Sequence, residues 1–135
     1  MSFTTPVFQN VTSNLDLTLN KQCIIIDAGH GGFDGGAVAN DGTVEKDINL
    51  NITLKLGRLL ESAGATVILT RKNEEALCKS GFNKMEDMRA RAEIIELASP
   101  YIVISIHCNS FPQSDNVSGA QTFYYPGSET GKLLA

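Results

Sequence analysis

The sequence predicts an α/β fold, a three-layer α/β/α arrangement around a mainly parallel, twisted sheet. Three observations carry this. The runs "CIIID", "ATVILTR" and "YIVISIH" are short and continuously apolar, as strands buried on both faces require. Segments of helical period separate them. A long glycine-rich stretch follows the first run, where open α/β sheets place their ligands.

Residues 1–21 form a polar N-terminal extension. Leu15, Leu17 and Leu19 alternate there, which predicts an edge strand. A buried strand follows over Cys23–Asp27. Residues 28–44 lack periodicity and read as a functional loop. "INLNITLKL" alternates like a strand, but the run from Asp47 to Ala63 is too long for one. Ile48, Ile52, Leu56, Leu59, Leu60 and Ala63 make a helical stripe, and Gly64 suits a C′ position. That segment is therefore predicted helical. Residues 65–71 form the second strand and 72–84 a loop. Met85, Met88, Ala92, Ile95 and Leu97–Ala98 predict a second helix that ends before Pro100. "YIVISIH" is a further buried strand, and "AQTFYY", residues 120–125, another. The strands ending at Asp27, Thr70 and His107 should lie side by side or nearly so. In "GSETGKLLA", Ser128 reads as the cap of a short helix, and Leu133 and Leu134 as the start of a buried stripe. The expectation is a domain incomplete at its carboxyl-terminal end.

Composition limits the functions available. The chain of 135 residues suits one domain, and a hydrophobic content of 42% is ordinary. A net charge of −4 without a basic cluster argues against nucleic acid as a partner. No apolar run has the length of a membrane span, and "MSFTTPVFQN" has no signal-peptide pattern. Cys23, Cys78 and Cys108 are odd in number and widely spaced, unlike a disulfide framework.

Only two histidines are present. His30 lies three residues past the first strand and His107 ends another. Parallel strands would project both from one sheet edge, which suggests a metal site. The plainer alternative is that each binds a nearby carbonyl. A third ligand could be Asp27, Asp34, Asp41, Glu45 or Asp47, and local physics does not choose among them. Asp27 could equally accept N–H groups of the glycine turn, and Asp47 could cap the helix.

"DAGHGGFDGGAVANDGTVEKDINL", residues 27–50, resembles the first signature of the zinc-dependent N-acetylmuramoyl-L-alanine amidases. "SIHCNS", residues 105–110, resembles the second. "MRARAEIIELASPYIVISIH" matches the stretch leading into it, with Arg91 at the family's arginine position. The resemblance covers roughly residues 22–135, and within the family it is to the short, single-domain amidases of spore cortex formation. It implies a phosphorylase/hydrolase-like α/β/α fold, of which residues 22–135 would be the N-terminal part. It also implies one Zn2+ per chain, held by His30, Glu45 and His107, with the fourth tetrahedral position open to water. The implied reaction is hydrolysis of the amide between the lactyl group of N-acetylmuramic acid and L-alanine of the peptidoglycan stem peptide.

On this resemblance Gly31 and Gly32 turn the chain beside the metal and leave room for a bulky substrate. Asn109 orients the site or the substrate, or is simply a turn residue. The family's general-base glutamate lies beyond Ala135, and Glu129 has the wrong context for it. The expectation is thus a chain that binds zinc but hydrolyses peptidoglycan poorly or not at all. The implied partners are peptidoglycan glycopeptide and an accessory or activator protein, in the extracytoplasmic cell envelope or spore cortex. A thiol mechanism at Cys108 is disfavoured, because adjacent strand residues point to opposite faces and His107 would diverge from it. Two other readings compete: a non-catalytic zinc-containing module that binds wall material or a protein, and an anion-binding domain with "GHGG" as a phosphate cradle.

Overall fold

The structure is a computed structural model that describes Leu19 and residues 21–78, 83–110 and 119–135. The expected edge strand over residues 15–19 lies almost wholly outside the described residues. The described elements are strand β1 (Cys23–Ala28), helix α1 (Glu45–Ser62), strand β2 (Thr66–Leu69), helix α2 (Lys84–Ala98), strand β3 (Ile102–Ile106) and helix α3 (Glu129–Leu134).

The three strands form one parallel sheet in the order β2-β1-β3. β1 is central, with Ile26 opposite Leu69 on one side and Ile104 on the other. Ile24, Ile25, Ile26 and Ala28 are all buried, as a strand covered on both faces demands. The sheet places the ends of all three strands together, as expected from the apolar runs.

The two long helices cover opposite faces. α1 lies over the face that carries Ile26, Val67 and Leu69. Gly57 makes that approach close, since a Cβ there would sit 3.3 Å from Leu69 and 3.8 Å from Ile26. α2 reaches the other face through Arg91, which binds Asp27. α1 ends in a Schellman motif: Ala65 N–H donates to Leu60 O, Gly64 N–H donates to Glu61 O, and Gly64 has φ +90°.

The helices sit where expected, but both are rotated relative to their apolar stripes. In α1 the buried positions are Glu45, Asn49, Leu50, Thr53 and Gly57, while Ile48, Ile52 and Leu59 face outward. In α2 only Arg91 is fully buried, and Met85, Met88 and Leu97 are exposed. In both helices polar residues tied to the strand ends set the rotation. α1 also begins at Glu45 rather than Asp47, and Asp47 does not cap it. The carbonyls of Ala37 and Gly35 take the N–H groups of Glu45 and Lys46, so no side-chain cap is needed.

Two further expectations fail. Residues 120–125 form no strand, and Phe123 and Tyr125 are exposed. β2 and β3 are the edges of the described sheet, and neither pairs with them. Ser128 does cap α3, accepting from Gly131 N–H, but Leu133 and Leu134 are exposed rather than buried.

The central strand should dominate stability. Ile26→Ala removes a fully buried side chain that packs beside Gly57, and should cost about 2–5 kcal/mol. Urea unfolding would measure it, and a loss under 1 kcal/mol, roughly the size of a minor surface effect, would contradict this packing.

Candidate metal centre

Two buried arginines shape the loop that follows β1. Arg71 and Arg91 are 3% and 5% exposed. Arg91 donates to Asp27, to Ala28 O at 2.9 Å, to His30 O at 2.7 Å and to Asp87 at 2.8 Å. Arg71 donates to Ala28 O at 3.0 Å, Gly29 O at 2.9 Å, Asn73 O at 3.0 Å and Lys46 O at 2.8 Å. Between them they take the carbonyls of three successive residues. His30 is thereby held at φ +62°, a left-handed conformation uncommon for a residue other than glycine.

That conformation turns the His30 ring toward the start of α1. His30 Nε2 lies 3.3 Å from Glu45 Oε1, and His107 Nδ1 lies 3.2 Å from the same oxygen. The two rings meet edge to face, 4.9 Å between centroids. One donor atom from each of the three residues falls within 4.8 Å of the others. The rest of Glu45 is well anchored. Its Oε2 accepts from Ala37 N–H at 2.9 Å, and its Oε1 accepts from Cys108 N–H at 2.8 Å and from Asn49 at 3.4 Å. Burial works against the Glu45 carboxylate, and these hydrogen bonds outweigh it, holding the carboxyl below its ordinary range.

Small residues are required around these groups. A Cβ at Gly29 would lie 2.3–2.7 Å from the His107 ring. A Cβ at Gly36 would lie 2.7 Å from both His30 Nε2 and Glu45 Oε2. Gly31 and Gly32 do have positive φ, as a turn needs, but they do not open space for a substrate. The backbone of Glu75 and Ala76 fills the room beside them.

The other candidate ligands are engaged elsewhere. Asp27 accepts from Arg91, Thr70 and Ser105. Asp41 accepts from Thr43 N–H at 2.9 Å in a turn. Asp47 is not among the clustered donors, while Asp34 touches His30 from outside the cluster. Arg91 anchors the loop, and Asn109 binds Gln121 at 3.1 Å. Asn109 also lines a cleft of about 220 Å³ beside Glu45, together with Val38, Ile48 and Cys108.

Cys108 is half-buried beside Glu45. Its thiol donates to Asn49 Oδ1 at 3.4 Å, and burial and the nearby Glu45 carboxylate push its pKa up, away from a nucleophilic thiolate. A phosphate cradle is also contradicted. The N–H groups of Gly29, Gly31 and Gly32 already donate to Ile106, Asp34 and Glu74 carbonyls.

Arg71 and Asn49 escaped the sequence reading. Asn49 is four residues after Glu45 and so shares its helical face, a usable signal. Arg71 had a weaker one: a cation directly after a buried strand, at the edge where a loop must be held.

The family description "N-acetylmuramoyl-L-alanine amidase" (Amidase_3) matches residues 24–135. The chain belongs to the N-acetylmuramoyl-L-alanine amidase family. It is 40% identical over 114 residues to the germination-specific N-acetylmuramoyl-L-alanine amidase of Bacillus subtilis, covering 81% of this chain and 47% of that protein. Against the amidase LytC of the same organism it is 30% identical, over 90% of this chain and 22% of that one. Among solved structures it is similar to the CwlD amidase from Clostridioides difficile in complex with the GerS lipoprotein. The TM-score there is 0.66 at 46% identity, over 70% of this chain and 52% of that chain. The chain spans about half the length of the germination-specific relative and of the CwlD amidase.

Two outcomes follow from the geometry around the loop. Burial raises the Asp27 pKa, but Arg91 and the Thr70 and Ser105 hydrogen bonds outweigh it, and the carboxyl is held below its ordinary value of 3.8. Its contribution to stability is therefore complete above pH 3.8 and lost as pH falls through the lower folded value. Acid unfolding should steepen below pH 3.8 in the parent and flatten there in Asp27→Asn, itself less stable at neutral pH. Parallel curves would contradict this. Separately, Gly29→Ala should displace the His107 ring and break its edge-to-face contact with His30, and unchanged ring signals in NMR would contradict that packing.

Proposed function

We propose that residues 22–135 form the zinc-holding, N-terminal part of an amidase domain. The domain hydrolyses the amide between the N-acetylmuramic acid lactyl group and L-alanine of the peptidoglycan stem peptide. One observation carries the metal reading: Glu45 Oε1 lies 3.3 and 3.2 Å from the nitrogens of two histidines brought in from other parts of the chain. Two donors on a tetrahedral zinc with bonds of roughly 2.0–2.1 Å stand about 3.3–3.4 Å apart. The donor set is also the right chemistry, since two imidazoles and one carboxylate are a hydrolytic zinc set. The cradle at Gly36, which a Cβ would fill, fits the same reading.

When bound, zinc supplies a Lewis acid for the amide carbonyl and lowers the pKa of water at the site. The chain's own residues provide the frame. Glu45 supplies the negative charge and is held ionised by Ala37, Cys108 and Asn49. Arg71 and Arg91 hold the His30 segment in place through its carbonyls. The cleft bordered by Val38, Ile48 and Asn109 opens next to Glu45 and gives a glycopeptide access. Asn109 lines that cleft and donates to Gln121 at 3.1 Å, and on this reading it orients the substrate. Glu129 opens α3 and has no assigned part in the reaction.

Action outside the cytoplasm, in the envelope or spore cortex, is supported by the likeness to the germination-specific amidase. The CwlD relative's complex with a lipoprotein supports an accessory protein as a further partner. No helix among the described residues is long and apolar enough to cross a membrane.

Elemental analysis of protein prepared without added metal should find about one zinc per chain. The His30→Ala, His107→Ala double variant should lose it, and unchanged occupancy would refute the ligand set. Muropeptide release by the protein carrying its full reading frame should fall at least 10³-fold, an estimated magnitude of roughly 4 kcal/mol, in Glu45→Ala. An unaltered rate would refute the role of Glu45.

A further inference from the structure

Among the described residues Asp34 is the one carboxylate that touches the donor cluster without belonging to it. Its Oδ1 lies 3.1 Å from His30 Nδ1. It is built into that position. The backbones of Gly31 and Asp34 exchange hydrogen bonds of 3.0 and 3.1 Å, which folds residues 31–34 into a tight turn. Gly36 N–H donates to Asp34 Oδ1 at 3.2 Å, and Lys84 Nζ stands 4.0 Å from the other oxygen. On the histidine side, Arg91 holds the His30 carbonyl at 2.7 Å. Ring and carboxylate are thus fixed independently, by different parts of the chain.

We propose that Asp34 is a positioning residue that fixes His30 as its Nδ1–H tautomer and thereby presents the Nε2 lone pair to the metal. This rests on the zinc reading above. An ionised carboxylate only accepts hydrogen bonds, so the proton of a neutral His30 ring sits on Nδ1. Nε2 then faces Glu45 Oε1 at 3.3 Å as acceptor against acceptor, an arrangement that a cation between them resolves. His107 contrasts with it. Its Nδ1 faces the same oxygen at 3.2 Å, and no carboxylate outside the donor set meets its ring among the described residues. The two ligands are therefore unequal: His30 is preset before the metal arrives, and His107 is oriented by packing against Gly29.

The test is nitrogen-15 NMR of the histidine rings in metal-free protein, at a pH high enough that both rings are neutral, paired with zinc affinity by chelator competition. The parent should show His30 as the Nδ1–H tautomer. Asp34→Ala should mix the tautomers and weaken zinc binding about 10–100-fold, the usual effect of losing such a partner. Asp34→Ser, a turn-forming residue too short to reach the ring, carries the same expectation if the alanine variant folds poorly. Asp34→Asn, whose amide oxygen still accepts, should keep the tautomer and lose less affinity. The His107 tautomer should not change in any of them. Parent-like tautomer and affinity in Asp34→Ala or Asp34→Ser would overturn the proposal. Weaker binding with an unchanged His30 tautomer would also overturn it, because that is what a merely structural role gives. A parent that binds no zinc would sink the zinc reading instead, while loss of the tautomer in Asp34→Ala would still support the Asp34–His30 link.

Discussion

The carbonyls of Ala28, Gly29 and His30 point into the protein, away from solvent. Everything at the candidate site depends on what meets them. Unpaired, they would cost about 1–3 kcal/mol each. Arg71 and Arg91 meet all three. A buried guanidinium is itself expensive unless paired, and the two are not equally placed. Burial works against the charge on Arg91, but Asp27 and Asp87 outweigh it and raise its pKa. Burial and the neighbouring Arg91 charge lower that of Arg71, which is bound mainly by carbonyls. The pair works because Asp27, at the end of β1, lies within reach of α2, and because β2 delivers Arg71 beside it.

This requirement explains why Ile48 and Ile52 of α1 and Met85 and Met88 of α2 lie off the buried faces. Leaving an isoleucine partly exposed forfeits at most about 1.5–3 kcal/mol, less when it is half covered, as Ile48 and Ile52 are. Breaking a buried ion pair by removing one partner costs about 3–5 kcal/mol. In α2 the Arg91–Asp27 pair therefore outweighs Met85 and Met88. In α1 the face toward the strand ends carries Glu45 and Asn49, with Thr53 and then Gly57 further along the same row, where Gly57 lets the helix lie close. Polar anchoring sets the helix rotation, and apolar burial fills in what remains.

The same balance marks how far the fold was legible in the sequence. The parallel sheet could be read because β1 is buried on both faces and looks it: three isoleucines leave no polar face. The helical nature of 47–63 could be read from length, against its strand-like alternation. The rotation of the helices could not, because periodicity assumes that apolar residues choose the buried face. The strand at 120–125 was misread for a related reason: aromatic content suggests a strand, but a strand needs a partner edge, which is a tertiary fact. At the site, two histidines at strand ends suggested a metal centre, but five carboxylates competed for the third place. Resemblance chose Glu45. The physical grounds for that proposal are that, among the described carboxylates, only Glu45 has an oxygen facing both rings, while Asp27 and Asp41 are bound elsewhere and Asp34 meets His30 alone.

Those grounds give the centre a rigid side and an open side. His30 is locked three times over: by its backbone conformation, by Arg91 at its carbonyl and by Asp34 at its ring. Glu45 is locked by the amides of Ala37 and Cys108 and by Asn49. His107 is held at its backbone by the sheet, but its side chain is 46% exposed. The cleft along Val38, Ile48 and Asn109 meets Glu45 where Cys108 follows His107 in the chain. Such a division suits the hydrolytic zinc centre proposed above. On that proposal ligand geometry must be held to a fraction of an ångström, yet one side must stay clear for the substrate. Placing the arginines and Asp34 behind His30 keeps the restraints on the side away from that opening.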